Sequence, residues 1–171
     1  MHLHAWNNPP EYELNKVNDQ RDYLFEYPKN IMDEKIKVLT NKLEETFNIK
    51  MLSHRSGRWS TDETYFELLH KYGYKVDCSV TPYMNWERCV GATGKPGSDY
   101  RKSPTQPYYI YKEILEVPVS IRQVRYFAPD AICSVKSFLH EIKWSGRLRE
   151  AWIRPTKNPS FVALKKVLDI V

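Results

Sequence analysis

Between Met32 and Phe47 apolar residues return every three or four positions, at Met32, Ile36, Leu39, Leu43 and Phe47, while Lys and Glu fill much of the rest. That is the period of an α-helix with one buried stripe, which must lie against another layer. Lys50 to His54 read as a short strand running into a turn at Ser56, Gly57 and Arg58. A second helix follows. Ser60 with Glu63 three residues on forms a capping box, Phe66 and Leu69 supply the buried face, and Gly73 stands where a left-handed cap closes it. Tyr74 to Val80 read as the next strand, Tyr108 to Tyr111 and Leu115 to Ile121 as later ones. Pro159 opens a last helix with Phe161, Leu164, Leu168 and Val171 on one face. Strands alternating with helices predict an α/β fold with a mainly parallel sheet.

The chain has 171 residues, which suits one domain, and 42% apolar with 27% charged residues excludes a disordered polymer. Its longer apolar runs, such as Leu115 to Ile121, are interrupted by Glu116 and Pro118 and fall far short of the roughly 20 residues that cross a bilayer. No membrane span is expected. The net charge of +5 is uneven: residues 1 to 50 carry seven bases against nine acids, so the excess lies downstream. Bases interleaved with acids read as a solvated surface rather than a nucleic-acid stripe, which leaves a basic nucleic-acid-associated domain as a distant reading. Cys78, Cys89 and Cys133 form neither a CxxC pair nor an even framework. A reducing compartment fits them. With no leader ahead of His2, a cytoplasmic location is expected.

Three short segments could carry chemistry. In His2-Leu3-His4-Ala5-Trp6, residues two apart on a strand share a face, so two imidazoles can stand side by side as nitrogen donors to a divalent metal. Ser53-His54-Arg55-Ser56-Gly57-Arg58-Trp59 places Arg55 at a strand end, where it can orient a carboxylate or bind an anion. Tyr74 to Pro82 puts Asp77 and Ser79 on one face of a strand. Thr81 to Pro107 is rich in Pro, Gly, Ser and Asn, and a stretch of that length in a compact domain is functional or disordered. Tyr83, Trp86 and Tyr100 in it are candidate platforms for sugar rings. Trp144 to Trp152, with Arg147 and Arg149 between the tryptophans, reads as an amphipathic helix whose arginine stems cover them.

These motifs, in this order, resemble the polysaccharide deacetylase-like proteins of the NodB-homology superfamily. The likeness runs through the histidine pair, Arg55-Ser56-Gly57-Arg58-Trp59, Gly73-Tyr74-Lys75-Val76-Asp77-Cys78-Ser79-Val80-Thr81-Pro82, Asp99-Tyr100-Arg101, Pro104-Thr105-Gln106-Pro107-Tyr108 and Leu115 to Ile121. The resemblance implies a partial, irregular (β/α) barrel and a metal-dependent hydrolase that removes acetyl groups from N- or O-acetylated sugars. It implies a divalent metal, zinc above all, on His2 and His4, although many members space the pair four apart, where this chain has Trp6. Arg55 matches the arginine that orients the catalytic carboxylate. Trp6, Arg58 and Trp59 would line the groove, and Asp77 would serve as a structural or substrate hydrogen-bond partner. The family's paired aspartates, upstream of the histidines, and its late histidine have no counterpart, and His140 is a poor substitute. The expectation is therefore a single domain over residues 1–171 that is a central segment of the barrel, with little or no activity alone and open sheet edges that invite self-association. A carbohydrate partner is expected on either of two readings, the deacetylase or a non-catalytic binding or assembly module on the same fold.

Overall fold

The computed structural model describes residues 1–125 and 148–152, with side chains up to residue 121. The chain divides into two compact units, Met1–Val119 and Ser120–Val171.

The first unit is built from strand β1 (His2–Leu3), helix α1 (Lys29–Phe47), β2 (Ser53–Ser56), helix α2 (Glu63–Lys71), β3 (Val76–Asp77), β4 (Tyr108–Tyr111) and β5 (Ile114–Glu116). Its five strands form an open sheet in the order β1-β2-β3-β5-β4. β1, β2, β3 and β5 run parallel, and β4 pairs antiparallel with β5. The unit is α/β with a mostly parallel sheet, as the alternating periods require.

Local chemistry explains most boundaries. α1 starts after Pro28, earlier than the apolar stripe suggests, and stops at Asn48, whose φ of 50° is the left-handed cap. α2 is capped by Asp62, which accepts from the Tyr65 amide, and not by Ser60. Ser60 is buried and accepts from the Ser98 amide at 3.0 Å, so it fastens the following loop instead. Gly73, at φ 80°, is the residue past the helix end that the pattern foresees. The expected strands Tyr74 to Val80 and Leu115 to Ile121 are shorter than their apolar character suggests. β3 ends at Asp77, after which the Val80 amide is captured by the Glu116 side chain at 3.0 Å. β5 ends at Glu116, short of Pro118.

The core gathers Leu3 from β1, Met32 and Ile36 from α1, Tyr65, Phe66, Leu68 and Leu69 from α2, Tyr74, and Ile114 from β5. Lys35, on the buried side of α1, donates to the Asn8 and Pro10 carbonyls at 2.5 and 2.6 Å and lies 4.7 Å from the Tyr27 ring centre. It thereby ties the segment after β1 to the helix.

The long segment from Thr81 to Pro107 is ordered by polar anchors rather than by strands. Glu26 accepts from the Tyr23, Ala92 and Thr93 amides and from the Thr93 hydroxyl. Gly91 packs so closely on that carboxylate that a Cβ would collide with it. A bridge between Asn85 and Asp99 closes the loop's outer end.

In the second unit, β6 (Ile121–Arg125) pairs antiparallel with β7 (Leu148–Trp152). The helix expected over Trp144 to Trp152 is corrected for Leu148–Trp152, which is a strand: ladder pairing with β6 overrides the amphipathic pattern. The helix expected from Pro159, Cys133 and His140 lie outside the described residues. Among the described residues no helix is long and apolar enough to cross a membrane.

Candidate functional site at the strand ends of the parallel sheet

Register decides which side chains meet. His54 is opposite Asp77, and Asp77 is opposite Glu116, so three polar side chains from β2, β3 and β5 form a row on one face. All three are buried. His2 is opposite Arg55, one residue out of phase with that row, so the pair belongs to the other face, with His2 exposed and Arg55 half-buried.

The buried row is a closed network. His54 Nδ1 donates to Asp77 Oδ1 at 2.6 Å, and the Tyr65 hydroxyl meets His54 Nε2 at 2.9 Å. Ser79 Oγ donates to the same Asp77 oxygen at 2.8 Å and accepts from the Ser56 amide at 2.8 Å. Burial alone would raise the Asp77 pKa, but the hydrogen bond and charge of His54, helped by Glu116 and Ser79, hold it below the usual value. Glu116 goes the other way. Burial first, then the hydrogen bond to Asp77 and its charge, push its pKa up to about 9. Its Oε2 is buried without a hydrogen-bond partner among the described residues. Two carboxyl groups thus share one proton at neutral pH, as like charges in a dry site must. Asp77, expected at the groove, is fully buried within this network.

The open face carries the histidine pair. The His2 and His4 rings lie 4.4 Å apart, nearly perpendicular, just where β1 turns into the helical turn Ala5–Asn7. Desolvation, with the Arg55 charge adding to it, lowers both pKa values; the Arg55 carbonyl bond only partly opposes this at His2. Both rings are therefore neutral at pH 7. His2 Nδ1 lies 3.0 Å from the Arg55 carbonyl oxygen, which can only accept. The proton sits on Nδ1, and the Nε2 lone pair is left bare. This is the tautomer that metal-binding histidines adopt when a backbone carbonyl holds the other nitrogen. His4 Nδ1 is buried without any hydrogen-bond partner. A Cβ at Gly57 would stand 2.5 Å from the Leu3 oxygen and 2.6 Å from that nitrogen, so only glycine lets β2 approach the pair. Two neutral imidazoles, one with a free lone pair, fit two positions of a divalent-cation shell. Among the described residues no group of three or more His, Cys, Asp and Glu could complete one.

The turn after β2 is strained. Arg58 and Trp59 both have positive φ, 58° and 64°, a conformation that costs a non-glycine residue about 1–3 kcal/mol and concentrates at functional sites. The turn sets the Trp59 ring 4.7 Å from the Arg55 guanidinium, and Tyr100 donates its hydroxyl to the Trp59 carbonyl at 2.6 Å. Tyr100 is buried, its pKa pushed up to about 12 by desolvation, and it props the turn instead of offering a sugar platform. Arg58 stacks 4.1 Å from the Tyr23 ring centre and bonds the carbonyls of Arg21, Cys89 and Val90, so its charge is spent on the scaffold. Trp6, half-buried, lies 4.5 Å from the His4 ring. Tyr83 and Trp86 are half-buried in the loop, where Trp86 donates to Thr81 Oγ1 at 2.8 Å.

The structure therefore brings His2, His4, Trp6, Arg55 and Trp59 together. It turns Asp77, Arg58 and Tyr100 to support. Sequence reasoning passed over Glu116, His54 and Arg21. Glu116 had a signal, an acid inside an otherwise apolar strand, and His54 had another, a histidine before the strand-end arginine. Arg21 had none, because its place depends on contacts with Trp6 and Arg58. The chain matches no family model, no curated protein and no solved structure.

Proposed function

We propose that this chain carries the metal-binding and groove-forming part of a carbohydrate deacetylase-type hydrolase on a barrel-like α/β scaffold. The observation that carries the reading is His2, whose carbonyl-bound Nδ1 leaves Nε2 bare beside the neutral ring of His4. The two histidines would hold a divalent cation, zinc by preference for imidazole. When bound, the cation supplies an activated water and a positive charge for the oxyanion that forms as an acetyl carbonyl is attacked. The chain's own groups do the rest. Gly57 keeps the pair close to the turn, Arg55 stands beside it to orient a carboxylate, and Trp6 and Trp59 offer apolar rings for a sugar.

The test is a zinc titration against a chromophoric chelator, run with acetate release from acetylated chito- and xylo-oligosaccharides. Zinc binding that is lost in both His2→Ala and His4→Ala, with zinc-dependent acetate release by the native chain, supports the enzyme. Zinc bound without acetate release is the outcome expected of a segment that lacks the paired aspartates, and it supports the metal site alone. No zinc bound at all removes the metal site from the reading.

A further inference from the structure

The open face carries cations that no carboxylate among the described residues neutralises, and this points to the charge of the ligand. Arg21 lies 5.7 Å from the centre of the Trp6 ring, Trp6 lies 4.5 Å from His4, and His4 lies 4.4 Å from His2. On the other side of the pair, Arg55 stacks at 4.7 Å on Trp59. The two histidines are thus flanked by two arginines, each laid against a tryptophan.

Neither guanidinium has a hydrogen bond or ion pair with a described residue. The acids nearest Arg21 in sequence do not engage it. Asp22 is buried and bonded to the Tyr27 hydroxyl, with Lys16 at 3.6 Å, and Asp19 is exposed and makes no ion pair with a described residue. The Arg21 side chain is exposed, but its backbone is fixed. Arg58 clamps its backbone carbonyl while holding the carbonyls of Cys89 and Val90, so the neighbouring loop fixes the position from which it projects. A guanidinium lying on an aromatic face keeps its donors along its edge, the geometry that meets a planar carboxylate with two parallel hydrogen bonds. Arg21 also lines an open polar depression of about 540 Å³ formed by residues 16 to 22, where Lys16 and Arg21 stand with Asp19 and the buried Asp22.

We propose that the ligand of this face is an acidic glycan, and that Arg21, held on Trp6 beside His4, binds the carboxylate of a uronic acid residue. Arg21 is then a specificity-determining residue. The inference rests on the sugar-binding part of the function proposed above and not on its metal chemistry.

The experiment is calorimetric binding of the full chain to an oligomer of galacturonic acid and to the neutral galactose oligomer of the same length, both without metal. The acidic oligomer should bind at least about 10-fold more tightly, the discrimination that a site built around a charge-assisted pair achieves. Arg21→Gln should remove that advantage and leave the neutral oligomer unchanged. Arg21→Lys should restore only part of it, because an ammonium cannot form the paired contact. Lys112→Gln, which removes the same charge from the turn between β4 and β5, should change neither affinity. Equal affinity for the two oligomers, equal loss in Arg21→Gln and Lys112→Gln, or weakening of both ligands by Arg21→Gln overturns the inference. The zinc and acetate assays fail or succeed independently. Acidic preference without zinc binding would sink the hydrolase alone, and acetate release without acidic preference would sink this inference alone.

Discussion

Glu116 shows how one buried residue can set the pH response of the protein. Its pKa in the fold, about 9, lies well above that of an exposed glutamate, so the folded chain retains a proton that the unfolded chain has released. The stabilisation is complete below the unfolded value and is lost as pH rises towards 9, by up to about 1.4 kcal/mol per pH unit. Asp77 has the opposite sign: its depressed pKa gives stability that is lost as pH falls through the folded value. Glu116→Gln keeps an acceptor for the Val80 amide and offers an amide N–H to Asp77 without an ionisable group. It should leave stability near pH 5 close to native and raise it at pH 8, flattening the profile between. Urea melts at several pH values measure this, and parallel curves for the two proteins would contradict the shared proton.

At the scale of elements, periodicity reveals helices better than it reveals strands. α1 and α2 are legible because their apolar spacing and their C-terminal ends agree, at Phe47 and Gly73, while both N-termini depart from the pattern. The strands in Tyr74 to Val80 and Leu115 to Ile121 are legible only as apolar stretches, because their ends depend on which amides neighbouring side chains capture. The loop from Thr81 to Pro107 looks structureless in sequence, yet Glu26 organises it through three hydrogen bonds, from the Ala92 and Thr93 amides and the Thr93 hydroxyl. Glu26→Gln replaces an acceptor with an N–H donor facing donors. It should destabilise the fold by about 1–3 kcal/mol, the cost of leaving buried groups unpaired. Proteolytic cleavage should then appear first between Trp86 and Tyr100. Cleavage elsewhere, at an unchanged melting temperature, would mean that Glu26 does not hold the loop.

At the scale of the molecule, the described residues of the main apolar cluster lie within Met1–Val119. A chain ending at Val119 should therefore keep its far-ultraviolet circular dichroism and unfold in one cooperative thermal transition. A broad, non-cooperative melt would show that the first unit depends on the second. The composition that allowed one domain over 171 residues carries no information on where a compact unit ends, since that depends on which contacts cross the chain.

The amino-acid sequence by itself determined the α/β class, the two helices, the strand at Tyr108 to Tyr111 and the nearness of His2 to His4, because each depends on spacings of a few residues. Tertiary structure alone decided that His54, Asp77 and Glu116 stand in one buried row, that Arg58 and Tyr100 serve the scaffold, and that Arg21 joins Trp6 beside the histidines. Those outcomes follow from strand order and register, and register places together residues whose separation along the chain leaves no local pattern to read.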